Sequence, residues 1–170
     1  MIVWVELLVE FLNAHRASAQ HIVSLLLAAA IWRWGGGPER WLIAVFLGTM
    51  VLPIYLARLL GQNTLSAGAF SGFYAPLDVI AAVLFVGIAL KANRNYPLWV
   101  AGFQLVALFA HVVKLVLVNA SPLAIAILVI GPSYCQLLLL IGGFFRHVLR
   151  ERRFGPYRGW REMAPLAHGH

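Results

Sequence analysis

One apolar stretch, from Pro97 to Asn119, constrains this chain more than any other. It is long enough to cross a bilayer as a helix, yet it carries Gln104, His111 and Lys114. At positions i, i+7 and i+10, these three side chains fall roughly on one face of a helix. Polar groups are costly in hydrocarbon and normally face other helices or a wet cavity, so this face is a guide to how the helices pack.

The composition of the whole chain indicates a membrane protein. Of its 170 residues, 62% are hydrophobic and 11% are charged, against roughly a quarter charged in soluble domains. At ~20 residues per span there is room for about four to six spans and no separate catalytic domain. The single cysteine, Cys135, excludes an internal disulfide and a cysteine-based metal cluster.

Breaks in the apolar pattern predict an all-α fold, a polytopic membrane helix bundle with five transmembrane helices. We assign residues 1–150 to one transmembrane domain and residues 151–170 to a basic cytoplasmic tail. The uncharged segment 61–75 is expected to be the longest loop. The expected spans are 18–34, 39–60, 76–92, 97–119 and 122–149.

Glycine and proline mark the expected ends and bends of these spans. Three glycines at 35–37 end the first span, and Pro38 begins the second. Pro53 should kink the second span, and Pro76 should begin the third. The fifth span would be roughly 40 Å long against a ~30 Å hydrocarbon core, so it must tilt or bend, and Gly131–Pro132 offers a bend.

The N-terminal residues 1–13 are apolar but too short to span a membrane. Glu6, Glu10 and Asn13 recur at helical spacing, which is typical of a separate helix lying in the membrane interface. A cleavable signal peptide is not expected, because a basic start is missing and two glutamates interrupt the apolar part. The alternative is one long helix from residue 2 to Trp34.

Loop charges predict the orientation of the bundle. If 35–39, 91–96 and the C-terminus share one side, that side holds ten basic residues and the other side three. This positive-inside signal places the N-terminus outside and the C-terminus in the cytoplasm. The ten are Arg33, Arg40, Lys91, Arg94, Arg146, Arg150, Arg152, Arg153, Arg158 and Arg161, and the three are Arg16, Arg58 and Lys114.

Antiparallel spans allow the depths of polar residues to be compared. Asp78 and Lys114 lie at similar depth and are expected either to pair or to act separately, with Lys114 reaching headgroups and Asp78 capping its helix. Gln104 and Gln136 are also level, which predicts an interhelical hydrogen bond. By this count His111 is left without an evident partner.

A further polar group follows the expected bend in the fifth span. Pro132 lacks an amide proton and so leaves a carbonyl one turn earlier free. Ser133 and Tyr134 either satisfy this loosened backbone or help to line a small site, as in transporters with broken helices. The candidate polar pocket comprises Asp78, Gln104, His111, Lys114, Ser133, Tyr134 and Gln136.

The spacing of reactive residues predicts no catalytic, cofactor or metal site. An axial haem pair would need His111 and a second intramembrane histidine, for which His21 is the candidate, and no HxxxH or HExxH motif is present. Ser133 and Cys135 have no base at recognisable spacing. We therefore expect no cofactor, and an enzyme ranks as the third hypothesis.

The segment after the last span is the clearest surface feature. Basic clusters beside a membrane bind anionic lipid headgroups, and aromatic residues settle at headgroup level. We expect a topology and lipid anchor, with docking onto an acidic partner as the alternative and no nucleic-acid binding. The expected contact residues are Arg146, Arg150, Arg152, Arg153 and Trp160.

Four segments resemble a family of small multi-pass membrane proteins of alphaproteobacteria. They are GGGPERW at 35–41, ALKANRNYPLWVAGFQL at 89–105, GPSYCQLL at 131–138 and FGPYRGWR at 154–161. The resemblance covers most of the chain after about residue 18. It implies a bacterial inner membrane and brings with it no activity, cofactor or functional residues.

These observations predict an accessory or interaction subunit that packs against another membrane protein, a second copy of itself or lipid. The rival hypothesis is a lipid or small-molecule carrier that uses an outward-facing pocket at Asp78, His111 and Lys114. A membrane-embedded enzyme or haem protein comes third. Few intramembrane ionisable groups favour the first hypothesis over the others.

Overall fold

The computed structural model describes residues 2–59, 67–116, 122–155 and 159–161. Within these ranges the regular secondary structure is all helical and forms five helices. They are α1 (Ile2–Trp34), α2 (Gly37–Leu59), α3 (Ala67–Lys91), α4 (Tyr96–Val116) and α5 (Pro122–Phe154).

At the N-terminus the preferred prediction is wrong and the alternative, one long helix from residue 2 to Trp34, is confirmed. Instead of a separate interfacial helix followed by a span at 18–34, α1 runs without a break from Ile2 to Trp34. Its 33 residues span about 50 Å at 1.5 Å per residue. The residues from Ile2 to Trp34 contain neither glycine nor proline, so nothing in the backbone chemistry interrupts the helix.

The start of the third helix also differs from the prediction. Helix α3 begins at Ala67, and Pro76 lies inside it rather than at its first turn. Residues 67–75, expected as loop, are therefore helical. Proline is tolerated inside helices packed in a bundle when neighbouring groups satisfy the freed carbonyl. The remainder of the expected loop, 61–66, lies outside the described residues.

Proline affects α2 and α5 in different ways. In α2, a π-helical turn at Leu47–Val51 comes just before Pro53, and the Leu52 N–H donates to the Leu47 carbonyl. The wider turn accommodates the proline ring, which accounts for the distortion expected there. In α5 the helix continues through Pro132 to Phe154, so the broken helix considered as an alternative at this point is not formed, and the helix extends beyond the predicted end at residue 149.

Helices α3, α4 and α5 make the most extensive contacts with one another. Helix α2 packs against this group, and α1 lies on the outside. Two phenylalanines, Phe46 of α2 and Phe85 of α3, are fully buried where these helices meet. On α5, a Cβ at Gly143 would lie 2.7 Å from the Tyr96 ring, so α4 and α5 approach closely only because this residue is glycine. The rest of the buried apolar core includes Ile31, Leu42, Ile43, Val100 and Leu140.

Two of the described helical segments are long and apolar enough to cross a membrane. They are Gly37–Leu59, which is the whole of α2, and Tyr96–Val113 within α4. The five predicted spans therefore reduce, on length and composition, to two candidates among the described residues.

Candidate functional site

Four polar side chains from α3, α4 and α5 form one hydrogen-bonded chain, which we call the inner polar chain: His111, Asp78, Gln104 and Gln136. Nε2 of His111 lies 2.7 Å from Oδ2 of Asp78. Nε2 of Gln104 donates to Oδ1 of Asp78 at 2.9 Å, and Nε2 of Gln136 donates to Oε1 of Gln104 at 2.8 Å. Both glutamines are fully buried, so they satisfy one another where no solvent reaches.

The prediction of a Gln104–Gln136 hydrogen bond is confirmed. The depth count left His111 without an evident partner, and the structure supplies one, because Asp78 of α3 binds it across helices. The possible pairing of Asp78 with Lys114 stays a prediction, because the Lys114 side chain lies outside the described part of the structure. Asp78 thus joins two residues of α4, Gln104 and His111, which lie on the single polar face inferred from their spacing.

Ser133 and Tyr134 do not join the inner polar chain. Oγ of Ser133 donates to the carbonyl of Ile130 at 2.8 Å, and the hydroxyl of Tyr134 donates to the carbonyl of Arg16 on α1 at 3.4 Å. Ser133 therefore satisfies a backbone carbonyl beside Pro132, which is the first of the two interpretations given for this residue. The candidate polar pocket is thus divided between the inner polar chain and these backbone contacts.

A second polar region, at the opposite end of the α4–α5 contact, consists of Glu39, Arg94, Tyr96 and His147; we call it the ion-pair cluster. Arg94, between α3 and α4, forms a salt bridge with Glu39 in the first turn of α2. The side chains of Glu39 and Arg94 are only 1% and 8% exposed, so this charge pair is buried. The Tyr96 hydroxyl donates to Oε1 of Glu39 at 2.9 Å.

His147 of α5 completes the ion-pair cluster. Nη2 of Arg94 lies 3.2 Å from Nδ1 of His147. Because a guanidinium only donates, Nδ1 must accept, and the ring carries its proton on Nε2. That nitrogen lies 3.5 Å from Oε2 of Glu151, one turn further along α5. The cluster therefore connects α2, the α3–α4 loop and α5 through neutral and charged hydrogen bonds.

Sequence reasoning missed the ion-pair cluster, although two signals pointed to it. Glu39 was considered only as part of the loop 35–39, and Arg94 only as a topology charge. Both had nevertheless been placed on the same side of the bundle. An acidic and a basic residue at the same membrane depth, each next to an apolar helix, are typical of a buried ion pair.

The C-terminal segment Gly159–Arg161 folds back onto the loop between α3 and α4. The Asn93 N–H donates to the Gly159 carbonyl at 3.0 Å, and the Arg161 N–H donates to the Lys91 carbonyl at 2.9 Å. These bonds flank an antiparallel bridge between Ala92 and Trp160. The part of the predicted tail at 151–154 belongs to α5, and all residues after Arg161 lie outside the described ranges.

Trp160 packs against the start of α2. A Cβ at Gly37 would lie 2.6 Å from Nε1 of Trp160, and a Cβ at Gly159 would lie 2.9 Å from the Pro38 ring. Space, rather than a left-handed backbone, therefore requires glycine at 37. The indole predicted to contact headgroups is 36% exposed and is held against the bundle by this contact.

A cavity of about 540 Å³ opens beside the ion-pair cluster, between the ends of α1 and α5 and the start of α2. Arginine, tryptophan and glycine dominate its wall. The lining residues are Arg33, Trp34, Gly35, Gly36, Gly37, Arg40, Arg94, His147, Val148, Glu151, Arg152, Gly159 and Trp160. Its volume lies within the range of ligand pockets.

A smaller cavity of about 180 Å³ shares Arg94 and His147 with the first. Arg146 and Arg150 line it, whereas Arg152 lines the larger cavity. Arg153 is exposed and lines neither. The four arginines expected to act together as one headgroup-binding cluster are thus distributed over different surfaces.

Among the described residues, no group of three or more histidine, cysteine or acidic side chains is arranged to hold a metal ion. His21, the other histidine considered for haem, packs beside the Tyr55 ring at 5.6 Å between centroids. Cys135 is half-buried and free. Comparison with protein-family models, curated proteins and solved structures found no match to this chain.

Proposed function

We propose that this chain is an integral membrane protein of five spans that serves as a non-enzymatic accessory or interaction subunit. We place it in a bacterial inner membrane with its N-terminus outside and its C-terminus in the cytoplasm, in line with the loop charges and the family resemblance. The partner would be another membrane protein or a second copy of this chain, with anionic lipid at the cytoplasmic face.

The observation that carries this proposal is the contrast between an apolar exterior and a polar, hydrogen-bonded interior. Large apolar side chains are 60% exposed or more on all five described helices, among them Leu26 of α1, Val83 of α3, Phe109 of α4 and Leu138 of α5. Such extensive exposed apolar surface is unfavourable in water and suits lipid or a membrane partner. Less than half of either candidate span is buried, unlike the core helix of a soluble protein.

The polar interior supports an interaction role over a catalytic one. Gln104 and Gln136 are fully buried and bind each other, and Asp78 accepts bonds from Gln104 and His111. In a bundle, such bonds add specificity to helix packing with modest energy. Side chains already committed to one another are poorly placed to act on a substrate.

Site-specific photo-crosslinking in intact membranes tests the interaction role. A photoreactive amino acid would replace one outward-facing apolar residue at a time, at Leu26, Val83, Phe109 or Leu138, with buried Ala81 as the control. We expect one helix face to give a discrete protein adduct and Ala81 to give none. Lipid adducts alone at all four exposed positions would overturn the proposal.

A carrier is the second candidate, because the Asp78 and His111 side chains retain 16% and 22% exposure. A ligand that reached them would compete with their mutual hydrogen bond. An Asp78→Asn variant would then lose ligand that copurifies with the unchanged protein. If mass spectrometry finds the same small molecules and lipids with both proteins, the carrier hypothesis is excluded.

A further inference from the structure

We propose that the 540 Å³ cavity is a binding site for a phosphate-bearing anion. The site is distinct from the inner polar chain, and where the anion is a lipid headgroup it gives the anionic lipid of the proposed function a specific place and rests on that function. Four arginines, Arg33, Arg40, Arg94 and Arg152, line one cavity together with a single acid, Glu151. Arginine is the side chain best suited to bind phosphate, because its planar guanidinium offers paired donors that match two phosphate oxygens.

Three of these arginines are available to an anion. Arg94 is committed to Glu39, but Arg33, Arg40 and Arg152 form no ion pair with any acid in the described residues. They come from the end of α1, the start of α2 and the end of α5. Like charges brought to one cavity from three helices repel one another, and a bound anion relieves that repulsion.

The start of α2 adds to the positive potential. Its cap residue, Gly36, has no side chain to accept from the first-turn N–H groups. Glu39, the acid of that first turn, is bound to Arg94 and Tyr96 instead. The partial positive charge of the helix N-terminus therefore reinforces the arginines at the cavity wall.

Two indoles complete the wall. Trp34 follows Arg33 at the end of α1, and Trp160 is held by the backbone bonds of Gly159–Arg161 to the loop. Arg33 lies over the Trp34 ring at 5.6 Å, which restricts the guanidinium without neutralising it. Tryptophan is typical of the headgroup level of a membrane. The site therefore suits the phosphate of a phospholipid headgroup or a free phosphate compound.

The test measures binding to the full-length protein in neutral detergent, with inorganic phosphate and short-chain phosphatidylglycerol as separate probes. We expect saturable binding of at least one probe. Arg40→Gln should raise the dissociation constant about tenfold, since it removes one charge-assisted contact. Arg33→Gln and Arg152→Gln should act in the same direction. Circular dichroism and gel filtration would verify that each variant is folded.

Matched controls separate the site from general surface charge. Arg58→Gln alters the other end of α2, Arg16→Gln an exposed position earlier in α1, and Arg153→Gln the residue next to Arg152. Each control should leave the dissociation constant within about twofold, since none lines the cavity.

The two probes distinguish the source of the phosphate group. Binding of both, weakened by the cavity variants, assigns the site to a phosphate group alone. Binding of phosphatidylglycerol only assigns it to a lipid headgroup, and this arm rests on the membrane integration proposed above. No binding of either probe, or equal loss in cavity and control variants, overturns the proposal. None of these results depends on finding a protein partner.

Discussion

The inner polar chain and the ion-pair cluster show two ways of placing polar groups in an apolar bundle. The inner polar chain ends in two fully buried amides, and its charged member, Asp78, stays partly exposed. The ion-pair cluster buries a full charge pair, but at the ends of helices, beside a cavity and the chain's basic loop. Amides are thus used where burial is complete, and charges where both signs meet near an interface.

The difference also concerns what each region connects. The inner polar chain joins three consecutive helices, α3, α4 and α5, that would be neighbours through their short connections alone. The ion-pair cluster joins α2 to a loop and to α5, and lies beside the C-terminal segment. We therefore expect the ion-pair cluster to contribute more to the stability of the whole fold.

The largest expected effect tests that ranking. Arg94→Gln leaves Glu39 buried without its counter-charge and should lower the free energy of unfolding by about 3–5 kcal/mol. Asp78→Asn keeps an acceptor for Gln104 and should cost about 1–2 kcal/mol. Unfolding in detergent, followed by circular dichroism, measures both.

Two further variants act as controls for this ranking. Lys91→Gln changes an exposed cation of the same loop region and should be nearly neutral. A Glu39→Gln, Arg94→Gln double variant should lose less than the sum of the single losses, because neither charge is left alone. The ranking is wrong if Arg94→Gln costs no more than Asp78→Asn.

The next largest effect is expected where α4 and α5 approach closely, between the two polar regions. Gly143→Ala would place a methyl group against the Tyr96 ring and should cost about 1–3 kcal/mol. The adjacent Gly142→Ala meets nothing within 4 Å and should be neutral or slightly stabilising, since alanine favours helix. Equal effects of the two substitutions in the same unfolding assay would contradict this packing.

A smaller effect is expected inside the inner polar chain. Gln136→Leu leaves Oε1 of buried Gln104 without its donor, and we expect a loss of about 1 kcal/mol. The double variant Gln104→Leu, Gln136→Leu should recover part of it. A double-mutant cycle gives the coupling energy between the two amides. A coupling of zero would mean that they pack side by side without bonding.

The smallest change concerns Trp160. Gly37→Ala places a Cβ where the indole now lies and should release Trp160 with little loss of overall stability. The Trp160 indole should become more accessible to an aqueous quencher, so quenching of tryptophan fluorescence should increase. Gly48→Ala, elsewhere in α2 with nothing within 4 Å, is the control and should leave quenching unchanged.

Depth counting from the sequence predicted one polar contact and missed another. It placed Gln104 level with Gln136, and the hydrogen bond is present. It left the pairing of Asp78 with Lys114 open and gave His111 no partner, whereas Asp78 binds His111, one turn nearer the middle of α4. Residues three apart on a helix share a face, so depth alone cannot choose between them. That choice depends on side-chain length and helix rotation, which the sequence does not fix.

Helix boundaries were predicted well at the glycines and proline of 35–38 and poorly at Pro76. Gly35 to Pro38 marked the start of α2 correctly, because Gly37 admits Trp160 and the proline suits a first turn. Pro76 was interpreted as a helix start but lies within α3, and Pro132, interpreted as a bend, lies within a helix that continues through it; the surroundings of both prolines tolerate them.

The central claim is that the two polar regions lie in a membrane protein with the ion-pair cluster at its cytoplasmic end. Cysteine labelling tests it most directly. In a Cys135→Ala background, Ala17→Cys on α1 and Asn93→Cys beside the cluster each provide one exposed thiol. An impermeant maleimide added to intact spheroplasts should label position 17 and reach position 93 only after lysis. Labelling of 93 but not 17, or of both before lysis, would contradict the account.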